Sequence, residues 1–377
     1  MRFNDFCTII NTDDKFKSIN EEKKVKGIGA MVTLKDIARM CNVSPSTVSN
    51  VLNGKNSMGD EVKQRVLEAV RETGYQPNYY ARNMRTNKSG TVGIIVEDLC
   101  QFSSPFIVEM ILEYLEQQGY RPILMNLRMY YKLKNTNIED EDALCKILEP
   151  VVQQMEAIKV EGIIYVAAHC RMLKKVPKLI QYPAVYSYAY ADYDKKSVII
   201  DDETGANDMV SYLISKGHRD IGIIAGSSDN YHTIARIKGC QRAMFNAGIL
   251  FDPDRLLYGA WDRESGYNQA KKILKKGITA LWCMNDRMAS GAYQAAREMG
   301  MEVGKDISIA GFDDHELAST LYPLLTTYEL PLYAIGYRAA QMLVDLINGN
   351  EKALPPDGPL KLKGQMVIRN SVTEKGK

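Results

Sequence analysis

The sequence predicts an α/β protein with a two-lobed core, parallel sheets flanked by helices, preceded by an all-α headpiece of helix-turn-helix type. Three observations predict it. Between Thr33 and Gly74 apolar residues recur at helical spacing, with a tight turn between the first two helical runs. From Gly90 onward short apolar runs alternate with amphipathic helices, the signature of parallel sheets covered on both faces. That alternating stretch, about 290 residues, is too long for one compact open sheet.

Residues 1–30 have little period, several charges and a Gly-Ile-Gly-Ala tail. They are expected to be a flexible extension, or a start assigned too early with Met31 the true initiator. Thr33 is a suitable N-cap, with Asp36 three residues on, and Leu34, Ile37, Ala38 and Cys41 mark one apolar helix face. Asn42-Val43 makes a turn. Ser44 caps a second helix with Pro45 at its first position and Val48, Val51 and Leu52 inward, and Asn53-Gly54 ends it. A third helix covers 60–72, with Val62, Val66, Leu67 and Val70 at helical spacing, and Gly74 stops it.

Strand-like runs then follow at 91–96, 122–125, 162–166, 184–188, 198–200, 221–225, 280–283 and 308–311. Helices are expected at 106–118, 143–158, 203–216, 235–247, 264–275, 287–298 and 332–347. The predicted division is a headpiece at 31–76, a hinge at 77–89, a first lobe from 90–217 and 324–350, and a second from 218–323 and 351–377.

The 377 residues, 45% hydrophobic and 25% charged, match ordinary globular protein and exclude disorder or a small disulfide scaffold. No apolar run approaches the ~20 residues of a membrane span. Seven cysteines, widely spaced and without a CxxC pair, argue against structural zinc and fit a reducing cytoplasm. The four histidines show neither HxxxH nor HExxH spacing, so no metal is expected. Net charge is +2, yet residues 31–90 hold nine basic and five acidic side chains. A basic module on a near-neutral body points to a polyanion partner for that module. The exposed face of the second helix, Ser46, Thr47, Ser49, Asn50 and Asn53, offers short hydrogen-bonding side chains to base edges, while Thr33, Lys35, Lys55 and Arg82 suit phosphates. Pro45 and Asn56, at the two ends of this segment, are assigned to the same interface.

Residues 33–53, TLKDIARMCNVSPSTVSNVLN, resemble the headpiece of lactose-repressor (LacI/GalR) family transcription regulators. The resemblance continues through GYQPNYYAR (74–82), TVGIIVED (91–98), KVEGIIY (159–165), IIDDETGA (199–206), KGHRDIGIIAG (216–226), ARIKGC (235–240), NDRMASGA (285–292), DISIAGFDD (306–314) and PLLTTYELPLYAIG (323–336). It implies a core like that of periplasmic binding proteins and a homodimer on a near-palindromic double-stranded DNA operator. It also implies a small-molecule effector between the lobes, with no cofactor and no membrane partner. In such proteins a hinge-helix leucine wedges open a base step; Met84 stands at that position.

The effector positions implied are Arg236, Asn285 or Asp286, Asp313 and Trp261, a set suited to a sugar or sugar derivative. Arg236 and Asp313 have the alternative of an ion pair within one lobe, and Trp261 of plain packing. In the first lobe Phe102 or Phe106, His169 and Tyr188 are candidates, the last within a Tyr-rich run suited to stacking on a sugar or a planar ring. The reading is a ligand-responsive regulator, a repressor rather than an enzyme. A solute-binding protein fits the core without the headpiece. An α/β enzyme would need a nucleophile or phosphate motif after a strand, and no GxSxG, GxGxxG or Walker A string is so placed.

Overall fold

The computed structural model describes residues 32–52, 59–75, 89–133, 140–191 and 196–375. The expectations for residues 1–30, for the hinge from 77 to 88, and for Asn53, Lys55, Asn56, Arg82 and Met84 therefore lie outside the described residues. The chain forms two compact units, residues 1–87 and 88–377.

In the first unit α1 (Leu34–Met40) begins at Thr33 with a closed capping box: the Asp36 N–H donates to the Thr33 hydroxyl at 3.3 Å and the Thr33 N–H to the Asp36 carboxylate at 3.0 Å. The α2 helix (Pro45–Leu52) is capped by Ser44, whose hydroxyl accepts from the Thr47 N–H at 3.0 Å. The α3 helix (Asp60–Thr73) ends where Gly74 turns left-handed, φ 63°. Ile37, Val48 and Val66, one from each helix, are fully buried and form the centre of the headpiece core. Leu67, expected inward, is exposed, and Ala69 takes the buried place on that face.

The strands of the second unit begin with β1 (Thr91–Val96), β2 (Arg121–Asn126), β3 (Gly162–Val166), β4 (Ala184–Ser187) and β5 (Ser197–Ile200). Then come β6 (Ile221–Ala225), β7 (Leu256–Tyr258), β8 (Ala280–Cys283), β9 (Ser308–Ala310) and β10 (Thr327–Glu329), and last β11 (Leu360–Leu362) and β12 (Gln365–Val367). The larger helices are α4 (Ser104–Gln117), α5 (Glu141–Ile158), α6 (Asp202–Ser215), α7 (Tyr231–Asn246), α8 (Arg263–Ile273), α9 (Asp286–Glu298) and α10 (Leu332–Ile347). Two parallel sheets result, β11-β5-β4-β3-β1-β2 and β9-β8-β6-β7, joined by the antiparallel pair β10-β12. Their central strands are buried along their whole length, as sheets covered on both faces require.

The lobe boundaries differ from those expected at three places. The α6 helix, assigned to the first lobe, packs on α7 of the second. Contact is close enough that a Cβ on Gly239 of α7 would overlap the Glu203 carbonyl oxygen. Residues 324–329, also assigned to the first lobe, lie beside β9, with the Gly311 N–H donating to the Thr326 carbonyl at 2.9 Å. Strand β11, assigned to the second lobe, is the edge strand of the first sheet, Leu360 opposite Val198. The chain thus crosses between lobes after β5, after β10 and after β11. These short strands carry too few residues for an alternating pattern, which is why β7, β10, β11 and β12 were not predicted.

The α6–α7 contact yields a stability test. Gly239→Ala is expected to destabilise the protein by about 2–3 kcal/mol, because backbone rather than a flexible side chain must move. The denaturant midpoint should fall at constant m-value; an unchanged midpoint contradicts this packing.

Candidate functional site

In the headpiece, Pro45 and Ser46 are exposed on α2, and Thr47, Ser49 and Asn50 are half-buried. Thr33 and Lys35 are exposed on α1. The Thr33 hydroxyl also donates to Asp36 at 2.6 Å, and the Ser46 and Thr47 hydroxyls lie 2.7 and 2.9 Å from that of Ser44. The cap therefore orients two of the hydroxyls on the face expected to read bases.

In the core, the loops at the carboxyl ends of the parallel strands converge on one cavity of about 940 Å³. This is where open parallel sheets place their ligand crevices. The first lobe contributes Phe102 after β1, His169, Cys170 and Arg171 after β3, and Tyr188 after β4. From the second lobe come Tyr231, His232 and Arg236 of α7, Trp261 after β7, Asn285 and Arg287 after β8, and Asp313 and His315 after β9. Three lining residues without the freedom of glycine hold left-handed backbone: Tyr188 (φ 60°), Trp261 (φ 67°) and Asp313 (φ 117°). Such conformations persist only where the surroundings enforce them. The Trp261 ring lies directly over Gly226, and any side chain there would overlap the indole.

A buried charged network supports the second-lobe wall. The Asp202 carboxylate accepts from Arg236 Nε at 2.7 Å and from His232 Nδ1 at 2.7 Å. The Asp202 and Arg236 side chains are only 0% and 3% exposed. Burial pushes the Asp202 carboxyl up, but His232 and Arg236 outweigh it and hold it below the usual carboxylate range. Arg236 also donates to the Met284 carbonyl oxygen, and its guanidinium sits 4.0 Å from the Phe312 ring centre and 5.6 Å from that of Trp261. Asp313 lies 3.8 Å from Arg236. Burial pushes its carboxyl up to about 7, against the pull of Arg236.

The first-lobe wall has its own buried pair. Glu97 accepts from the Tyr165 hydroxyl at 2.6 Å, the Ala168 N–H at 2.8 Å and both terminal nitrogens of Arg171, which fixes the loop after β3. His169 Nδ1 lies 3.2 Å from the Tyr130 hydroxyl. Phe102 and His315 face each other from opposite lobes, ring centres 5.0 Å apart.

Phe102, His169, Tyr188, Arg236, Trp261, Asn285 and Asp313 all line the cavity. Phe106 and Asp286 do not, and both assignments are corrected. Phe106 sits behind Phe102, edge-on to it at 5.7 Å and to Tyr333 at 5.5 Å. Asp286 is fully buried and turned away, accepting from the His315 N–H and the Thr327 hydroxyl, each at 2.7 Å. Its neighbour Asn285 lines the cavity with its amide engaged: it caps α9 through the Met288 N–H at 2.8 Å and donates to the Trp261 carbonyl at 2.9 Å. The ion-pair alternative for Arg236 is half right, because Arg236 pairs with Asp202 and not primarily with Asp313. Sequence reasoning missed Asp202, His232, Arg171 and Arg287. Asp202, Arg171 and Arg287 lie close behind the carboxyl ends of β5, β3 and β8, and that position was the available signal; His232 stands in the first turn of α7, where only the helix start marks it. Among the described residues no group of three His, Cys, Asp or Glu side chains is placed to hold a metal, and no helix is long and apolar enough to cross a membrane.

Comparison with known proteins agrees with both units. Residues 33–78 match the model of bacterial regulatory proteins of the lacI family, and residues 210–372 match a periplasmic binding protein-like domain. The HTH-type transcriptional regulator RegA of Clostridium saccharobutylicum is 33% identical over 324 residues, 85% of this chain and 93% of the relative. The HTH-type transcriptional repressor PurR of Pasteurella multocida is 33% identical over 354 residues, 91% of this chain and 99% of the relative. Among solved structures, the lac repressor dimer bound to operator and the anti-inducer ONPF superimposes with a TM-score of 0.74 at 25% identity, covering 91% of this chain and 100% of that one. With a headpiece matching the family model, and a third of the aligned residues identical to regulators along nearly their whole length, the chain belongs to the lacI family of bacterial regulatory proteins.

Proposed function

We propose that the protein is a homodimeric, ligand-responsive transcriptional repressor, acting in the cytoplasm, whose α2 helix reads operator DNA and whose core cavity takes a sugar or sugar derivative. The carrying observation is the cavity itself. Both lobes line it, and it joins a carboxyl poised near neutrality, Asp313, to aromatic faces, Tyr188 and Trp261. A polyol needs that pairing: acceptors and donors for its hydroxyls, and flat apolar surface for its C–H faces. Paired charges also favour a neutral ligand, since Arg171 is met by Glu97 and Arg236 by Asp202. A planar ring is the second reading, favoured by Tyr188 and Tyr190 of the first lobe and Tyr231 of the second, all lining the cavity.

Dimerisation on DNA is supported by the likeness to the lac repressor dimer on operator. One small headpiece makes few contacts, whereas two read a near-palindrome. Thr33 and Lys35 would hold phosphates while Ser46, Thr47, Ser49 and Asn50 face base edges. The effect of a bound ligand would be a shift between lobe arrangements with different affinities for DNA.

Thermal-shift screening of neutral sugars, sugar phosphates and nucleobases tests the ligand class. A neutral sugar should raise the midpoint of the native protein and leave that of Asp313→Ala unmoved. Stabilisation by nucleobases alone would select the planar reading, and equal shifts in both proteins would remove Asp313 from the site.

Asp313 also sets a pH test. Because its carboxyl is raised, the folded state favours the protonated form, and that stability is complete below the ordinary carboxylate range and lost as pH rises through about 7. Asp313→Asn should therefore gain stability relative to the native protein between pH ~4 and ~8. A constant difference across that range contradicts the assignment.

For DNA, sequences are first selected from a random library with the native chain. Asn50→Ala should then lose about 1–3 kcal/mol on the selected sequence and far less on random DNA. Equal losses on both would place Asn50 outside the reading face.

A further inference from the structure

His232 occupies a place where the two lobes touch through a hydrogen bond. It stands in the first turn of α7, in the second lobe, with its ring almost wholly buried. Its Nδ1 lies 2.7 Å from Asp202, and its Nε2 lies 3.2 Å from the backbone N–H of Cys170, in the first-lobe loop after β3. A backbone N–H only donates, so Nε2 presents a lone pair and the single ring proton resides on Nδ1, facing the carboxylate. The imidazole is thus held neutral in one tautomer, as a bridge from α6 and α7 to the opposite lobe.

We propose that His232 is a positioning residue whose neutral imidazole fastens the first-lobe loop at Cys170 to the second-lobe Asp202–Arg236 pair, and whose protonation releases the lobes from each other. The asymmetry of its two partners gives the direction. A proton added at Nε2 turns the acceptor into a donor facing the Cys170 N–H, and that contact is lost. The same proton strengthens the hold of Asp202 on Nδ1. An imidazolium therefore stays with its own lobe and lets go of the other.

The charged and titratable neighbours are consistent with that direction. Asp202 from α6 touches the ring, and Arg236, one turn further along α7, neutralises Asp202 from the other side. Asp313 approaches Arg236 from the loop after β9. From the first lobe come the Tyr188 ring, 5.4 Å away, the Cys170 thiol and Arg171, the last held by Glu97. Tyr231 and Trp261 face the imidazole at 5.9 and 6.5 Å. The first-lobe carboxylate beside this loop, Glu97, is already engaged by Arg171, the Tyr165 hydroxyl and the Ala168 N–H.

This inference does not depend on the identity of the ligand or of the DNA, and its test uses neither. Amide hydrogen exchange is measured on the full chain, comparing Cys170 with Ala167. The Ala167 N–H donates to the Ser187 carbonyl at 3.0 Å, inside the first lobe, and serves as the internal reference for the intrinsic pH dependence. In the native protein the protection of Cys170 relative to Ala167 should fall about tenfold as the pH is lowered and the imidazole gains its second proton. His232→Gln keeps an acceptor without a titrating proton, so its ratio should remain high and flat with pH. His232→Leu should show the low ratio at every pH. Parallel profiles for the native protein and His232→Gln would overturn the proposal, and that comparison decides alone should the leucine variant fail to fold.

Discussion

The core depends on one buried ion pair, Asp202 with Arg236. Two charges removed from water carry a large desolvation cost, which is offset only when every strong donor and acceptor finds a partner. Here the carboxylate accepts from Arg236 and His232, and the guanidinium donates to Met284 and lies against Phe312. The partners come from four elements, Asp202 from α6, His232 and Arg236 from α7, Met284 past the end of β8 and Phe312 from the loop after β9, so satisfying the pair fixes all four at once. The result is a rigid wall on which Asp313 and Trp261 can hold left-handed backbone.

The rest of the cavity follows from strand direction. Parallel strands end together, and their carboxyl-end loops from two sheets face one another across the crevice. Three chain crossings tie the lobes yet leave them joined by narrow connections, the architecture in which a ligand touching both lobes can bias their arrangement. Contacts across the crevice include Phe102 on His315, Tyr188 on His232, Tyr190 on Tyr231, and the Cys170 N–H on the His232 imidazole.

Most of the architecture was legible in the sequence because helices and buried strands leave periodic traces. Thr33 with Asp36 and Ser44 with Pro45 stated the first two helix starts, and GIIYV suits a buried strand. The short crossing strands were not legible, since three residues define no period and their partners lie far along the chain, as Leu360 beside Val198 shows. The site was half legible. Arg236, Asp313 and Trp261 stood out by resemblance. Asp202 did not, because its meaning comes from a partner 34 residues away on another helix. Asp286 was misread for the opposite reason. Its place after Asn285 suggests the cleft, but bonds to Thr327 and His315 turn it inward. Neighbouring residues at a helix start point in different directions, and sequence alone does not state which one the crevice receives.

The most direct measurement of the central claim is a double-mutant cycle on Asp202→Asn and Arg236→Gln, read as unfolding free energy at neutral pH. Each single change strands a buried charge and should cost about 3–5 kcal/mol. The double variant leaves no charge stranded, so its loss should be well below the sum, with a coupling of about 2 kcal/mol or more. Additive losses would contradict the account, because they would mean that the two residues support the cavity wall independently and that the fold does not depend on their pairing.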